Sequence, residues 1–206
     1  MPRPRTNIQP RIVEAARARF LADGVDGASL REIARDAGTN IGMIAYYFKT
    51  KDELFLAVIE EVYAAMLADM TRLLRAEGTA RQRLRNAFAR LGNASDLELD
   101  VIRLIIREGM SSSTRLRRII ARFMRGHIPL ILQTIADGLA AGELDDRLPP
   151  VMILLAAIGL GALPQFARRS TRAMELFAKL PDANGVADLS VDLLFKAVGA
   201  PKRKRR

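Results

Sequence analysis

Between Ser29 and Lys51, in the run SLREIARDAGTNIGMIAYYFKTK, cations, phenols and one small amide are gathered into a short stretch. Arg31, Lys49 and Lys51 suit phosphate oxygens, and the hydroxyls of Tyr46 and Tyr47 can donate to phosphates or base edges. From Asn40 to Phe48 no side chain is charged. Direct readout of a duplex from this segment would then rest on Asn40, on apolar contact of Met43 or Ala45 with thymine methyls, on the tyrosine hydroxyls, and on Arg31 from the segment before. One of the tyrosines can instead pack inward. Ile44 and Phe48 are assigned to the core. Chemistry of other kinds finds little support. There is no cysteine, and His127 is the only histidine, so thiol catalysis and zinc-thiolate sites are excluded, and no metal or cofactor is expected. Ser111, Ser112 and Ser113 lack the setting of a nucleophile elbow and read as loop and cap residues. No catalytic constellation is present, and the chain is not expected to be an enzyme.

The elements that must position these groups follow from local signals. Ser29 with Glu32 three residues on predicts a capping box at the start of a helix over 30–37. Ile33, Ala34 and Ala37 give that helix a small apolar face, and Gly38 supplies a sharp turn. Asn40 caps a second short helix over 41–48, whose Ile44 can pack back onto Ala34. Two helices joined by such a turn form a helix-turn-helix. A helix over 9–23 precedes them, with Ile12, Ala15, Ala16 and Phe20 at helical spacing and Gly24 as its stop. Thr50 and Glu53 open a long helix with an apolar stripe through Phe55, Ile59, Val62, Met66, Met70 and Leu73, continuing to about Glu77 and spanning about 40 Å.

The remainder reads as helices: 79–91, 95–110, a segment from 113 interrupted by Gly126 and Pro129 and resumed over 131–141, an apolar helix over 150–169, a short one over 171–180, a loop over 181–185 and a last amphipathic helix over 188–198. No alternating strand pattern occurs, and the fold class is all-α. The longest apolar run, Val151 to Leu163, is shorter than the roughly 20 residues of a membrane span, so no membrane partner is expected. Of the formal net charge of +10, residues 1–51 hold +4, the terminal KRKRR holds +5, and 52–201 hold only +1. That asymmetry suits an anion-binding head on a nearly neutral body. Three parts are expected: a helix-turn-helix DNA-binding domain over 1–50 with an Arg-rich N-terminal arm, a helical effector-binding and dimerisation domain over 51–200, and a basic disordered tail over 201–206. The arm reads either as a minor-groove contact or as a solvated terminus.

Residues 9–60 resemble the N-terminal DNA-binding domain of the TetR (tetracycline repressor) family of bacterial transcription regulators. The resemblance is carried by the first helix ending in Phe20 and Gly24, by SLREIARDAG, by the aromatic pair before Phe48, and by the Lys51-led entry KDELF. It implies a cytoplasmic, nucleoid-associated homodimer on double-stranded DNA with a palindromic operator, and an unidentified small-molecule effector in each body. Carried over by position, Ser29, Arg31, Asn40, Gly42, Met43, Tyr46, Tyr47, Lys49 and Lys51 are the expected DNA contacts. Two departures stand out: Ala45 occupies a position most often Tyr in the family, and Tyr47 replaces the usual His.

For the effector pocket the candidates are Met66, Met70, Phe88, Arg103, Arg107, Met110, Phe123, Met124 and His127. Adaptable apolar side chains suit such a site, but each of them can equally be core, and the two arginines can be solvated. Family resemblance places the dimer interface on the last two major helices, through Leu155, Ile158, Gly159, Ala162, Leu193 and Leu194. Simple burial within one body is the other reading. The function expected is a dimeric, sequence-specific transcriptional regulator, a repressor released by a small apolar or amphipathic effector. An all-helical enzyme or carrier with a vestigial helix-turn-helix, and a protein held on a membrane surface by its basic tail, are the alternatives.

Overall fold

The computed structural model describes residues 8–170 and 179–200; the N-terminal arm, the basic tail and most of the helix expected over 171–180 lie outside the described residues. Ten helices run through the described residues: α1 (Ile8–Gly27), α2 (Leu30–Asp36), α3 (Ile41–Tyr47), α4 (Lys51–Leu74), α5 (Ala80–Gly92), α6 (Asp96–Ser111), α7 (Ser113–Met124), α8 (His127–Ala140), α9 (Pro150–Ser170) and α10 (Ala183–Val198). The one extended pairing among them is an isolated antiparallel bridge between Leu144 and Gly199. The all-α reading holds. Several helix ends differ from the sequence reading, and Pro164 does not interrupt its helix. The helix after the break at Gly126 begins at His127, because Pro129 sits in its first turn, where a missing N–H costs nothing. Pro164 lies inside α9 without ending it. The last helix starts at Ala183 rather than near Asp188, since the Asp182 carboxylate accepts from the Gly185 N–H at 2.8 Å and caps it.

Two compact units are formed, one from Met1–Met66 with Ser95–Arg122, the other from Leu67–Ala94 with Phe123–Arg206. They do not follow the division at 50/51 drawn from the sequence, because α6 and most of α7 belong with the first unit and α4 contributes to both.

In the first unit α1 breaks at Gly24, whose φ of 77° is left-handed, and α2 and α3 pack below it. Phe20 and Phe55 meet edge-on at 6.4 Å between ring centres, and Ile12, Ile33, Ile44 and Leu54 are buried around them. The cap at α2 is half of the box expected. Ser29 accepts from the Glu32 N–H at 3.5 Å, but the Glu32 carboxylate turns to Arg19 at 3.4 Å instead of returning to Ser29. At α4, Thr50 accepts from the Glu53 N–H at 3.1 Å, while the Glu53 carboxylate reaches back to the Lys49 N–H at 2.9 Å.

In the second unit α5, α9 and α10 pack together with α8, around Leu84, Ile135, Leu144, Ile153 and Leu194. The carbonyls at the C-terminal end of α5 are satisfied from α9: Gln165 donates to Phe88, Arg168 to Gly92 and Arg169 to Ala94. Pro150–Arg169 is, by length and composition alone, long and apolar enough to cross a membrane, with a mean hydropathy of 1.8; the run extends further than the sequence reading allowed, past Pro164. Ile153, Leu154 and Ala157 of this helix face the core, whereas Val151, Met152, Leu155 and Leu163 are exposed.

The two glycines of α9 differ in kind. A Cβ at Gly161 would lie 2.3 Å from the Phe88 ring, while one at Gly159 would meet nothing within 4 Å. Gly161 therefore serves packing inside the unit, and only Gly159 is left on the open face. Gly161→Ala should lower stability by about 1–3 kcal/mol through overpacking, and Gly159→Ala should leave it unchanged or raise it by up to about 1 kcal/mol. Thermal unfolding of the two variants side by side measures this.

Candidate nucleic-acid interface

On α3 the outward positions are Ile41, Gly42, Ala45 and Tyr46, with Met43 and Tyr47 half-buried and Ile44 in the core. Tyr46 is 78% exposed, and its ring stands against that of Tyr47 at 5.1 Å and 84°. Of the two phenols, Tyr46 is the one offered to a partner. Arg31 on α2 and Lys49 just beyond α3 are exposed, and among the described residues neither side chain makes an ion pair. Gly38, at φ 63°, makes the turn between α2 and α3, with the Arg11 guanidinium lying against it.

Three of the expected contact residues are engaged within the protein. Ser29 caps α2. Asn40 caps α3, its Oδ1 accepting from the Met43 N–H at 3.0 Å. The Lys51 ammonium donates to the carbonyls of Asp26 at 3.0 Å and Ala28 at 2.9 Å. Lys51 thus closes the connection between α1 and α2 instead of standing free for a phosphate.

Behind this surface lies a cluster that the sequence did not reveal. Arg115, 7% exposed, donates to Asp52 at 3.0 Å, to Glu108 at 2.9 Å and to both carboxylate oxygens of Asp26. Glu108, also buried, accepts from the Val25 N–H at 3.1 Å. Arg107 donates to the carbonyls of Phe20 and Leu21 at the end of α1. Hydrogen bonding from Arg115 holds the Asp26 carboxyl below its ordinary range. Arg122 adds a bidentate pair with Glu60, at 2.6 and 2.7 Å, and lies over the Tyr63 ring. The spacing of Glu108 and Arg115 along two consecutive helices was the only available signal, and it looks like any surface charge pattern.

The effector-pocket candidates are scattered. Met66, Met70 and Phe88 are buried, and Phe123 stacks on His127 at 4.8 Å between ring centres. Met110 is 85% exposed, Met124 is exposed, Arg103 pairs with Asp100 at 3.0 Å on the surface, and Arg107 is held by α1. Those four therefore differ from the buried candidates: two methionines lie on the surface and both arginines have partners within the protein. Of the interface candidates, Leu155, Ile158, Gly159 and Leu193 are exposed and Ala162 is half-buried. Leu194 is fully buried in the second unit's core, so it is not open to a partner; Leu189, on the same face as Leu193, is exposed.

A three-helix head with an exposed, turn-linked reader helix defines a helix-turn-helix DNA-binding regulator. Residues 12–58 match the family model of bacterial regulatory proteins, tetR family. Over 139 residues the chain is 24% identical to the fatty acid metabolism regulator protein of Bacillus subtilis, a stretch covering 66% of this chain and 71% of that one. It spans less than two thirds of several other curated helix-turn-helix regulators, 59% and 62% in two cases. Among solved structures, the transcriptional regulator FadR from Bacillus subtilis in complex with stearoyl-CoA has a TM-score of 0.69 at 20% identity, over 90% of this chain and 97% of that one. A bacterial regulatory protein in the tetR family from Rhodococcus RHA1 has a TM-score of 0.73 at 23% identity, over 96% and 100%. The match places residues 12–58, the DNA-binding head, in the TetR family, and it makes the chain a DNA-binding transcriptional regulator rather than an enzyme. As a bacterial regulator it acts in the cytoplasm.

Arg115→Met should destabilise the first unit by about 3–5 kcal/mol, since Glu108 is left buried without its cation. Arg115→Met with Glu108→Gln should recover part of that loss, because the amide oxygen still accepts from Val25. Denaturant unfolding of both variants measures the difference. The depressed Asp26 carboxyl contributes stability above the ordinary carboxylate range, and this contribution disappears as pH falls through its lower folded value. Asp26→Asn should therefore cost most near neutral pH and progressively less in acid, as seen in melting temperatures across pH 7 to 3.

Proposed function

We propose that this regulator is a dimeric repressor that binds a palindromic operator through two copies of α3 and is released by a small apolar or amphipathic effector. The observation that carries the reading is the exposed face of α3, flanked by Arg31 and Lys49, on a head that matches the family. In this reading Arg31, Lys49 and Tyr46 contact the duplex, Asn40 has only its amide N–H groups to offer, and Ser29 and Lys51 act by holding the head in shape. DNA binding by a sequence-specific regulator of this kind associates it with the nucleoid.

A second copy of the chain, rather than a membrane, covers the exposed apolar face of α9 and α10. Met152, Leu155 and Gly159 recur on α9 at helical spacing beside Leu189 and Leu193 of α10, which suits a self-complementary two-fold contact. For the effector, the relatives named for fatty acid metabolism and crystallised with stearoyl-CoA make a fatty acyl-CoA the first ligand to try. Met70, Phe88, Phe123 and His127, all in the second unit, are the remaining candidates for its apolar part. Release would be a population shift between DNA-competent and DNA-incompetent states.

Fluorescence anisotropy with the duplex upstream of the protein's own gene tests the core of this reading. Salt-sensitive, sequence-dependent binding that stearoyl-CoA reverses is the expected result; equal binding to unrelated duplexes would sink it. Arg31→Ala and Lys49→Ala should each weaken binding about tenfold and flatten the salt dependence. Leu155→Glu with Leu193→Glu should convert dimer to monomer in sedimentation velocity and reduce operator affinity at least 100-fold, on the order of losing one of two linked half-sites. A variant that stays dimeric would refute this interface.

A further inference from the structure

We infer that the reader helix distinguishes bases by the methyl groups of thymine rather than by charged or amide hydrogen bonds, with Ile41 and Ala45 as the residues that determine specificity. The inference rests on the DNA-binding role proposed above and concerns how that role is carried out. Ile41, Gly42, Ala45 and Tyr46 are the exposed positions of α3, and at 100° per residue they occupy one continuous face. That face has no Arg or Lys for guanine and no Gln or Glu for adenine or cytosine, the pairings that direct hydrogen-bond readout uses in the major groove.

The one amide near the face, Asn40, is also removed from the usual code. Bidentate recognition of adenine requires both the oxygen and the nitrogen of the amide, and the Asn40 oxygen is committed to the Met43 N–H at 3.0 Å. Breaking that cap to free it would leave a seven-residue helix without its N-terminal partner. Met43, the other apolar candidate, is half-buried and lies outside the run of exposed positions. Ile41, 40% exposed, and Ala45 lie one turn apart and present aliphatic carbon outward. Gly42 between them adds no side chain, so the helix backbone can lie close to the groove floor. In the major groove the distinctive apolar feature of a base pair is the C5 methyl of thymine.

The experiment uses the full-length protein and the duplex from its own upstream region, narrowed by footprinting. Thymines in the protected half-sites are replaced one at a time by deoxyuridine, which removes only the methyl group. Affinity should fall about three- to fivefold at one or two symmetry-related thymine positions per half-site, the size of one buried methyl. Ile41→Ala should lose that sensitivity at one of these positions while its melting temperature stays that of the parent, because the side chain is on the surface. Wild-type protein that binds the fully uracil-substituted operator as tightly as the thymine one would overturn the inference. So would a result in which 7-deazaguanine substitution, and not uracil, abolishes discrimination. Failure to bind any duplex with sequence preference would instead overturn the DNA-binding role itself, so the two failures are told apart.

Discussion

One buried guanidinium fixes the two ends of the segment that reads DNA. Arg115 of α7 is bonded to Asp26, at the close of α1, and to Asp52, in the first turn of α4. Everything between those two points is α2, the turn and α3. Helices of seven residues have no stability of their own in water, so their position is set by where the chain enters and leaves them. Lys51 ties the same two points a second time, from α4 to the carbonyls of Asp26 and Ala28. Three carboxylates around one cation offset the cost of burying it, and Glu108 is further satisfied by the Val25 N–H. Because Arg115 and Glu108 stand on α7 and α6, the entry of the reader segment is bonded to residues 83 to 89 positions further along the chain, and its exit to one 63 positions further. That connection makes the first compact unit larger than a three-helix head.

What could be read from the sequence, and what could not, follows from how far apart the deciding atoms lie. The stop at Gly24, the turn at Gly38, the cap at Asn40 and the helix starts near 79 and 95 are settled by neighbours three or four residues away, and all were legible. The Ser29–Glu32 box was half wrong because Arg19, on another helix, competes for the Glu32 carboxylate. Leu193 and Leu194 are adjacent letters of one type, yet one is exposed and the other is at the centre of the core. Rotation of α10 against α5 and α9 decides between them, and no local pattern records it. Gly159 and Gly161 look equivalent for the same reason until the Phe88 ring is seen against one of them. Among the candidate site residues, those on α3 were found by motif, while Lys51 was assigned to DNA because its carbonyl partners lie more than twenty residues back.

Net charge overstates what the head presents to an anion. Arg17 is paired with Glu61, Arg19 with Asp36 and Glu32, and Arg35 with Asp36; Arg115 and Arg122, further along the chain, are likewise committed to carboxylates. Arg31 and Lys49 are exposed on either side of α3, and it is their placement, rather than the formal +10, that forms an electrostatic footprint. The separation has a physical consequence. Phosphate attraction is long-ranged, salt-dependent and blind to sequence, whereas contact with an apolar base edge is short-ranged, insensitive to salt and specific. Placing cations at the flanks and none on the reading face assigns affinity and discrimination to different side chains. A head arranged in this way can lose charge without changing which sequence it prefers, and can change its preferred sequence at Ile41 or Ala45 without changing its salt dependence.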